Sequence, residues 1–458
     1  MVKFSFSLPD DVVEVSRRLR AAGGEAYLVG GAVRDLLRGV PAGDFDLATN
    51  LLPEQTAKSF PSSVPTGIEH GTITVWLNDR CQGKGFEITT YRGEGTYSDG
   101  RHPDQVIFMS RIEDDLARRD FTINAMALNP LTLQLVDPFD GQKDLIARLI
   151  RAVGDPKVRF CEDGLRSMRA IRFATCLDFN IDANTLAAIS ETLHTVEKVS
   201  IERLRDEFLK LLTAEKPSRG IELMRTTGLL AIILPELLEG VDLHQNHFHM
   251  FDVYQHTLAA TDAAEGRTAR LAALFHDIAK PRTAQQKPDI PGEHTFYRHD
   301  SVGAALTDVI LRRLKFSNDE REKIVGLVAH HMFWYDPAWS DGSVRRFVRR
   351  IGTENLDDIY ELRRADIIAR GKGEDPSIEL EPLQQRVVNV LEQSRAMKIT
   401  DLAVNGKDVM EVLRVAPSPR VGEVLEQLLE RVLEDPSLNH RERLLSLISE
   451  YTTPNSKL

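Results

Sequence analysis

Residues 26–49 read AYLVGGAVRDLLRGVPAGDFDLAT. AYLVGG (26–31) is a short apolar run that stops on two glycines, the pattern of a buried strand entering a tight turn. AVRDLLRG (32–39) carries apolar residues at helical spacing for one or two turns, with Gly39 as a C-cap. DFDLAT (44–49) predicts a second strand. On a strand, Asp44 and Asp46 on either side of Phe45 project to one face. Two carboxylates so placed form a cradle for divalent cations, and Mg²⁺ prefers hard oxygens together with phosphate oxygens. Gly30 and Gly31 permit close approach to the backbone, and the helix start behind them offers free N–H groups to an anion. Arg34 can neutralise polyphosphate charge. Taken singly, a DxD or a Gly-Gly turn is commonplace; the ordered combination is what carries weight.

Outward from this stretch, residues 9–22 predict an amphipathic helix stopped by Gly23-Gly24. GTITVWL (71–77) and GFEITTYR (85–92) predict further strands, and Glu87 on the latter offers a third carboxylate. A two-metal arrangement of such groups stabilises the attacking and leaving oxygens of a phosphoryl transfer. GEGTYSDGRHP (93–103) reads as a loop. From Asp155 to 245 the pattern turns helical, with VRFCEDGLRSMRAIRFAT (158–175) its clearest run. Residues 250–370 are again helical, with histidines and aspartates at intervals. KGEDPSIELEP (372–382) reads as a linker before a helical tail. The fold class is α+β. It comprises a small mixed-sheet head (1–150), a helical neck (151–245), a helical body carrying the spaced histidines and aspartates (246–372) and a helical tail (373–458).

The chain has 458 residues, too many for one ordinary core. It is 42% hydrophobic and 28% charged, which excludes disordered and collagen-like classes. The net charge of -11, from 58 Lys and Arg against 69 Asp and Glu, excludes a general basic coat for nucleic acid but leaves room for a local basic track. Cys81, Cys161 and Cys176 form no CxxC pair, so neither a disulfide framework nor a cysteine zinc site is expected, and a reducing cytoplasm fits. The N-terminus lacks a secretory pattern. The longest apolar stretch, near Leu229–Leu234, falls short of the ~20 residues of a membrane span.

LVGGAVRDLLRG followed by DFDLAT resembles the signature of the class II nucleotidyltransferases of the polymerase-β-like superfamily. That class contains the tRNA CCA-adding enzymes and bacterial poly(A) polymerases. Further motifs of the family are resembled in order: RRDFTINAMAL (118–128), DPFDGQKDL (137–145), EDGLRSMRAIRFA (162–174) and IERLRDEFLKLL (201–212). In the second motif, Asp120 and Asn124 sit four apart and can hold ribose hydroxyls, while Arg119 can contact phosphate. The structural alternative makes Asp120 the N-cap of a FTINAMAL helix.

In the fourth motif, Asp163 and Arg166 lie three apart on a predicted helix and are therefore neighbours. A carboxylate accepts from a base amino group and a guanidinium donates to a ring nitrogen or carbonyl. The resemblance implies that this pair reads CTP and ATP and rejects UTP and GTP. The structural alternative is an intrahelical salt bridge, worth a few tenths of a kcal/mol. Arg169 and Arg172 continue the row, either toward the RNA end or into solvent. The loop 93–103 is associated in this family with addition of the terminal A, which argues against a CC-only enzyme.

His256, His276-Asp277 and Asp366 have the order H…HD…D, and this resembles an HD-domain phosphohydrolase site. His299, His330 and His331 lie between, and His299 and His330 are candidate ligands for a second metal. Imidazole plus carboxylate suits Ni, Mn, Co, Fe or Zn, and a metal-bound water can attack a phosphodiester. In tRNA-processing enzymes the resemblance implies phosphatase and 2′,3′-cyclic phosphodiesterase activity on RNA ends; in other members the domain is a scaffold. Arg345, Arg346, Arg349 and Arg350 form a basic run that either meets phosphates or is a solvated helix face.

The expected activity is template-independent addition of CMP, CMP and AMP, from CTP and ATP, to the tRNA 3′ end with release of pyrophosphate. Asp44 and Asp46 would hold Mg²⁺. No DNA or membrane partner is expected. The alternatives are a poly(A) polymerase or A-only enzyme, a hydrolase working only at the HD site, and an RNA-binding scaffold without turnover.

Overall fold

A computed structural model describes residues 7–67, 71–78, 83, 85–93, 107–245, 250–287, 293–393 and 398–451. The chain divides into two compact units, Met1–Pro235 and Glu236–Leu458. The loop expected at 93–103 lies outside the described residues except for Gly93, and so does Cys81.

The first unit carries a seven-stranded mixed sheet. Its strands are β1 (Tyr27–Val29), β2 (Leu47–Thr49), β3 (Ser62–Gly67), β4 (Thr72–Trp76), β5 (Phe86–Thr90), β6 (Ala127–Leu128) and β7 (Leu135–Val136). They lie in the order β3-β4-β5-β2-β1-β6-β7. β2 and β5 run parallel; the other neighbours are antiparallel. The expected helix forms over Asp10–Ala21 and buries Val12, Val15, Ser16 and Leu19, the i, i+3, i+4, i+7 face that its apolar spacing demands.

β3 had no signal in the sequence. It is a largely exposed edge strand containing Pro65, with an irregular register between Val64 and Gly67. Without a buried face there is no alternation to read, and proline is tolerated in a sheet mainly at such an edge. FTINAMAL does not become a helix. A 3₁₀ turn, Thr122–Asn124, leads into β6. Residues 121–128 are all buried, so their apolar run reports burial on every side and no helical period.

The run 158–175 folds as two helices, Pro156–Glu162 and Leu165–Leu177, broken at Asp163-Gly164. Asp163 is extended (φ -147°, ψ 106°). A Cβ on Gly164 would lie 2.4 Å from the Thr195 carbonyl oxygen, so only glycine admits that backbone approach.

The second unit is helical. One core gathers Ala260, Ala272, Leu327, Phe347, Ile359 and Leu362, and extends to Leu380, Leu383, Val387 and Val390. The last four belong to the helix Ser377–Gln393. The linker expected over 372–382 is therefore shorter, because its second half is the start of an amphipathic helix. A second core joins Leu402, Val409, Leu428, Leu429, Leu444 and Ile448.

The basic run on helix Asp341–Ile351 holds these two cores together. Arg345 donates to the Leu433 carbonyl, Arg346 to the Glu434 carboxylate, and Arg349 to Glu430 at 2.5 Å. These three arginines serve the C-terminal end of helix Pro419–Glu434, where cations suit the macrodipole. Arg345 is buried, Arg346 and Arg349 are partly exposed, and Arg350, the fourth of the run, is exposed. Among the described residues no helix is long and apolar enough to cross a membrane.

Candidate functional site

Asp44 and Asp46 occupy the lead-in to β2, one step short of the strand predicted to contain them, and both are exposed. The Asp46 carbonyl accepts from Val29 N at 3.1 Å, which ties this lead-in to the end of β1. Leu47 pairs with Ile88, so the parallel register sets Asp46 beside Glu87. Glu87 is exposed between buried Phe86 and Ile88. Asp46 and Glu87 thus lie side by side on two neighbouring strands, with Asp44 two residues ahead of Asp46; the three do not form a group with ligand atoms within 4.8 Å of one another, though hard oxygens of this type suit a divalent cation.

Gly30 has φ 70° and ψ -136°, a conformation that disfavours a side chain. A Cβ there would stand 3.3 Å from Arg119 Nη1, and one on Gly31 would stand 3.5 Å from Arg34 Nη2. Gly30 thus fits the positive φ and the close Arg119 guanidinium, whereas a side chain at Gly31 would make only ordinary contact with Arg34.

Arg34 is buried and engaged. It binds Asp35 through Nε and Nη2, both at 2.9 Å, and Asn124 Oδ1 through Nη1 at 2.9 Å. Asn124 Nδ2 donates to Asp120 Oδ1 at 3.2 Å. Arg169 grips Asp120 Oδ2 through Nε and Nη2 at 2.9 and 2.6 Å. Burial pushes the Asp120 carboxyl up, but Arg169 and Asn124 outweigh it and hold it below the usual carboxylate range. Arg172 binds Glu207 at 2.5 Å. Its side chain is 13% exposed, and this pair rather than solvent is its main partner. The guanidiniums of Arg34, Arg169 and Arg172 stand 5.3, 5.2 and 3.8 Å from the centroid of the Phe173 ring. Such contacts are worth ~0.5–2 kcal/mol each and lock the arginines in register.

Arg118, Arg119 and Asp120 share a cavity of about 330 Å³ with Asp163, Leu165, Arg166, Arg169, Arg203 and Arg92. Six guanidiniums in one cavity make a site for a polyanion. Arg118 and Arg119 are aligned from behind by buried Asp115, at 2.7 and 3.0 Å. Burial raises the Asp115 carboxyl, and the two arginines more than reverse that, lowering it to about 2. Asp163 and Arg166 both line the cavity and are held by different partners. Asp163 Oδ2 accepts from Arg203 Nη2 at 2.8 Å, and its Oδ1 caps Leu165 N at 3.0 Å. Arg166 binds Glu162 at 2.5 Å and the carbonyls of Arg159 and Arg118, each at 3.0 Å. The helix break at Asp163 removes the i, i+3 geometry of the expected salt bridge. Arg203 and Phe173 carried no individual signal in the sequence, since each lies on an ordinary amphipathic helix.

In the second unit four imidazoles converge on Asp277. His256 Nε2 lies 3.2 Å from His276 Nε2, 3.4 Å from Asp277 Oδ2 and 3.2 Å from Asp366 Oδ1. His299 Nε2 lies 3.2 Å from His331 Nε2 and 3.4 Å from Asp277 Oδ1. The second group is completed by His331, which sits 3.9 Å from Asp277 Oδ1. His330 belongs to neither group. Both histidines sit at the end of helix Asn318–His330, where one residue is a third of a turn, and the ring that turns inward is that of His331.

Each ring's Nδ1 faces a backbone carbonyl. Those of His256, His276, His299 and His331 meet Ala369, Ala273, Phe296 and Val328 at 3.2, 2.7, 2.7 and 2.7 Å. Donation there leaves the Nε2 lone pairs aimed inward, as in histidines whose other ring nitrogen is held by a carbonyl while Nε2 binds a metal. Lone pairs 3.2 Å apart repel unless a cation lies between them. The donor set therefore fits two cations flanking Asp277, one on each carboxylate oxygen. Lys280 Nζ stands 2.6 Å from Asp277 Oδ2 as an ion pair and donates to Gln245 at 2.6 Å.

Residues 26–151 match the poly A polymerase head domain. Residues 178–240 match the probable RNA and SrmB-binding site of polymerase A, and 301–448 match a putative tRNA nucleotidyltransferase domain 2. The chain is 33% identical to the CCA-adding enzyme of Enterococcus faecalis over 98% of its own length and 99% of that protein's. It is 38% identical to the A-adding tRNA nucleotidyltransferase of Deinococcus radiodurans over 88% and 91%. With the CCA-adding enzyme of Ligilactobacillus salivarius it shares 46% identity over 47% of this chain and 53% of that protein. Among solved structures, the Bacillus stearothermophilus CCA-adding enzyme in complex with CTP superposes with a TM-score of 0.72 at 28% identity, covering 96% of both chains. The seven-stranded mixed sheet, the family models matched along the chain and this full-length likeness agree: the chain is a nucleotidyltransferase and belongs to the class II family of CCA-adding enzymes and poly(A) polymerases.

Proposed function

We propose that this chain completes the tRNA 3′ end by adding CMP, CMP and AMP from CTP and ATP. The observation that carries this reading is the arginine cavity in which Asp163 and Arg166 are separately anchored, each presenting a different hydrogen-bonding character to one bound base. Asp44 and Asp46, with Glu87 beside them, would hold Mg²⁺, which supplies charge neutralisation at the reacting oxygens when bound. The chain's own residues do the positioning. Arg118 and Arg119 take phosphate oxygens, and Asp120 takes a ribose hydroxyl. Asn124 is buried and bonded on both sides, so it positions Asp120 in place of touching sugar. The tRNA 3′ hydroxyl attacks the α-phosphorus and pyrophosphate departs; catalysis lies in alignment and charge, as phosphoryl transfer requires. The reading is tested by Asp44→Asn and Asp46→Asn. Each lowers nucleotide incorporation by more than about 10³-fold, with the fold unchanged by circular dichroism; incorporation within tenfold of the unsubstituted protein overturns it.

A second reading, addition of A alone, is favoured by the identity with the Deinococcus relative. It shares every residue above and differs in product.

In the second unit we propose an HD-type phosphohydrolase centre held by His256, His276, Asp277 and Asp366, with His299 and His331 as a second ligand group. Nickel, manganese, cobalt, iron or zinc suits such donors, and would supply an activated water when bound. This centre would then serve RNA ends in the cytoplasm, with the four-part division at 150, 245 and 372 as the functional layout.

A further inference from the structure

Helix Ile201–Leu211 carries Arg203 and Glu207 four residues apart, so the two share one face. Each reaches a different carboxylate of the arginine cavity. Arg203 Nη2 donates to Asp163 Oδ2 at 2.8 Å. Glu207 reaches Asp120 through Arg169, whose Nε and Nη2 bind Asp120 Oδ2 while its Nη1 stands 3.7 Å from Glu207 Oε1. That second distance is an ion pair, too long for a hydrogen bond. Glu207 is buried and fixed in place: Arg172 Nε donates to its Oε2 at 2.5 Å and Lys210 Nζ to its Oε1 at 3.1 Å. Burial pushes its carboxyl up, but Arg172, Arg169 and Lys210 outweigh that and hold it below the usual carboxylate range.

Asp120 spends its acceptor capacity inside the protein. Its Oδ2 takes two N–H groups of Arg169, and its Oδ1 takes Phe121 N at 2.8 Å and Asn124 Nδ2 at 3.2 Å. A carboxylate offers about four acceptor positions. A sugar hydroxyl that donates to Asp120 therefore displaces one of these bonds. Phe121 N is backbone, and Asn124 is held on its other side by Arg34 at 2.9 Å. Arg169 is the partner that can yield. A partly buried guanidinium that loses a carboxylate contact needs another, because an unpaired cation there is costly. Glu207 stands ready to receive it.

Resting on the reading of Asp120 as the ribose-binding residue, we infer that Glu207 is a positioning residue for sugar choice: it takes up Arg169 when a ribose hydroxyl claims Asp120. Base choice and sugar choice are then supported separately from one helix face, the base through Arg203 and Asp163, the sugar through Glu207, Arg169 and Asp120.

The test uses the full chain and a tRNA ending in CC, an end to which both readings of the product add A. It compares kcat/KM for ATP with those for 2′-deoxyATP, 3′-deoxyATP and GTP. Glu207→Gln lowers the preference for ATP over at least one deoxy analogue by about tenfold or more and leaves the preference over GTP within about twofold. Arg203→Ala lowers the preference over GTP and leaves both sugar ratios within about twofold. A role confined to stability would lower all four substrates together and leave every ratio unchanged. Arg169→Lys keeps the charge and loses the planar fork, so it reproduces the loss of sugar preference; it carries the test if Glu207→Gln does not fold. Sugar ratios that stay unchanged in these two variants but collapse in Asp120→Asn overturn the role of Glu207 and leave Asp120 as the ribose residue. Sugar ratios unchanged in Asp120→Asn as well overturn both. Equal losses of sugar and base preference in Glu207→Gln overturn the separation of the two choices.

Discussion

Asp163 and Arg166, three residues apart, are held by different partners: Asp163 by Arg203 at 2.8 Å, Arg166 by Glu162 at 2.5 Å. Each side chain keeps a fixed position through its own set of partners. Asp163→Ala and Arg166→Ala should each loosen the choice of CTP and ATP over UTP and GTP by about 10- to 100-fold, the worth of one charged hydrogen bond. Arg203→Ala should produce a smaller loss in the same direction, since it frees Asp163 without removing it. Ratios of kcat/KM for the four nucleotides measure this; unchanged ratios would make the pair structural only.

Asp115 predicts an acid sensitivity. Its carboxyl falls from 3.8 to about 2 because Arg119 and Arg118 outweigh its burial. A depressed pKa stabilises the fold fully above the unfolded value and is lost as pH falls through the folded one. The contribution, about 2 kcal/mol, should therefore be complete above pH ~5 and fade between pH ~4 and ~2. Asp115→Asn should cost about that much at pH 7 and far less at pH 2.5. Urea midpoints at the two pH values check it, and a pH-independent difference would contradict it.

His331, not His330, closes the second metal group. Dialysed against Mn²⁺ or Zn²⁺, His331→Ala should retain one ion fewer than the unsubstituted chain, and His330→Ala the same number. Elemental analysis decides; loss of an ion from the His330 variant alone would reverse the assignment.

The acidic chain concentrates six arginines at one cavity. Affinity for tRNA should fall steeply with salt, roughly tenfold or more between 50 and 200 mM, as measured by filter binding. A flat response would contradict a phosphate-tracking site.

The Gly-Gly turn, the aspartates on either side of Phe45 and the H…HD…D order were legible in the chain because each rests on a local pattern: a strand ending in glycine, a two-residue repeat, a histidine beside an aspartate on one helical turn. Glu87 was placed correctly because period-2 alternation puts it on the polar face of β5. What stayed hidden depends on contacts distant in sequence. Arg34 looked like a free cation, yet Asn124, ninety residues on, claims it. The helix break at Gly164 follows from the approach of Thr195, and the arginine run at 345–350 is answered by carboxylates and carbonyls near residue 430. His330 and His331 are adjacent in sequence and chemically identical; only the helix end distinguishes them.

The product itself gives the most direct measurement. A tRNA ending at the discriminator nucleotide is incubated with labelled CTP alone, with ATP alone, and with both, and the 3′ ends are sized and sequenced. Expected are two added C residues with CTP alone, no A with ATP alone, and a single CCA end with both. Addition of A only to a tRNA already ending in CC, with no uptake of CMP, or growth of a long A tail, would contradict completion of the CCA end by this chain.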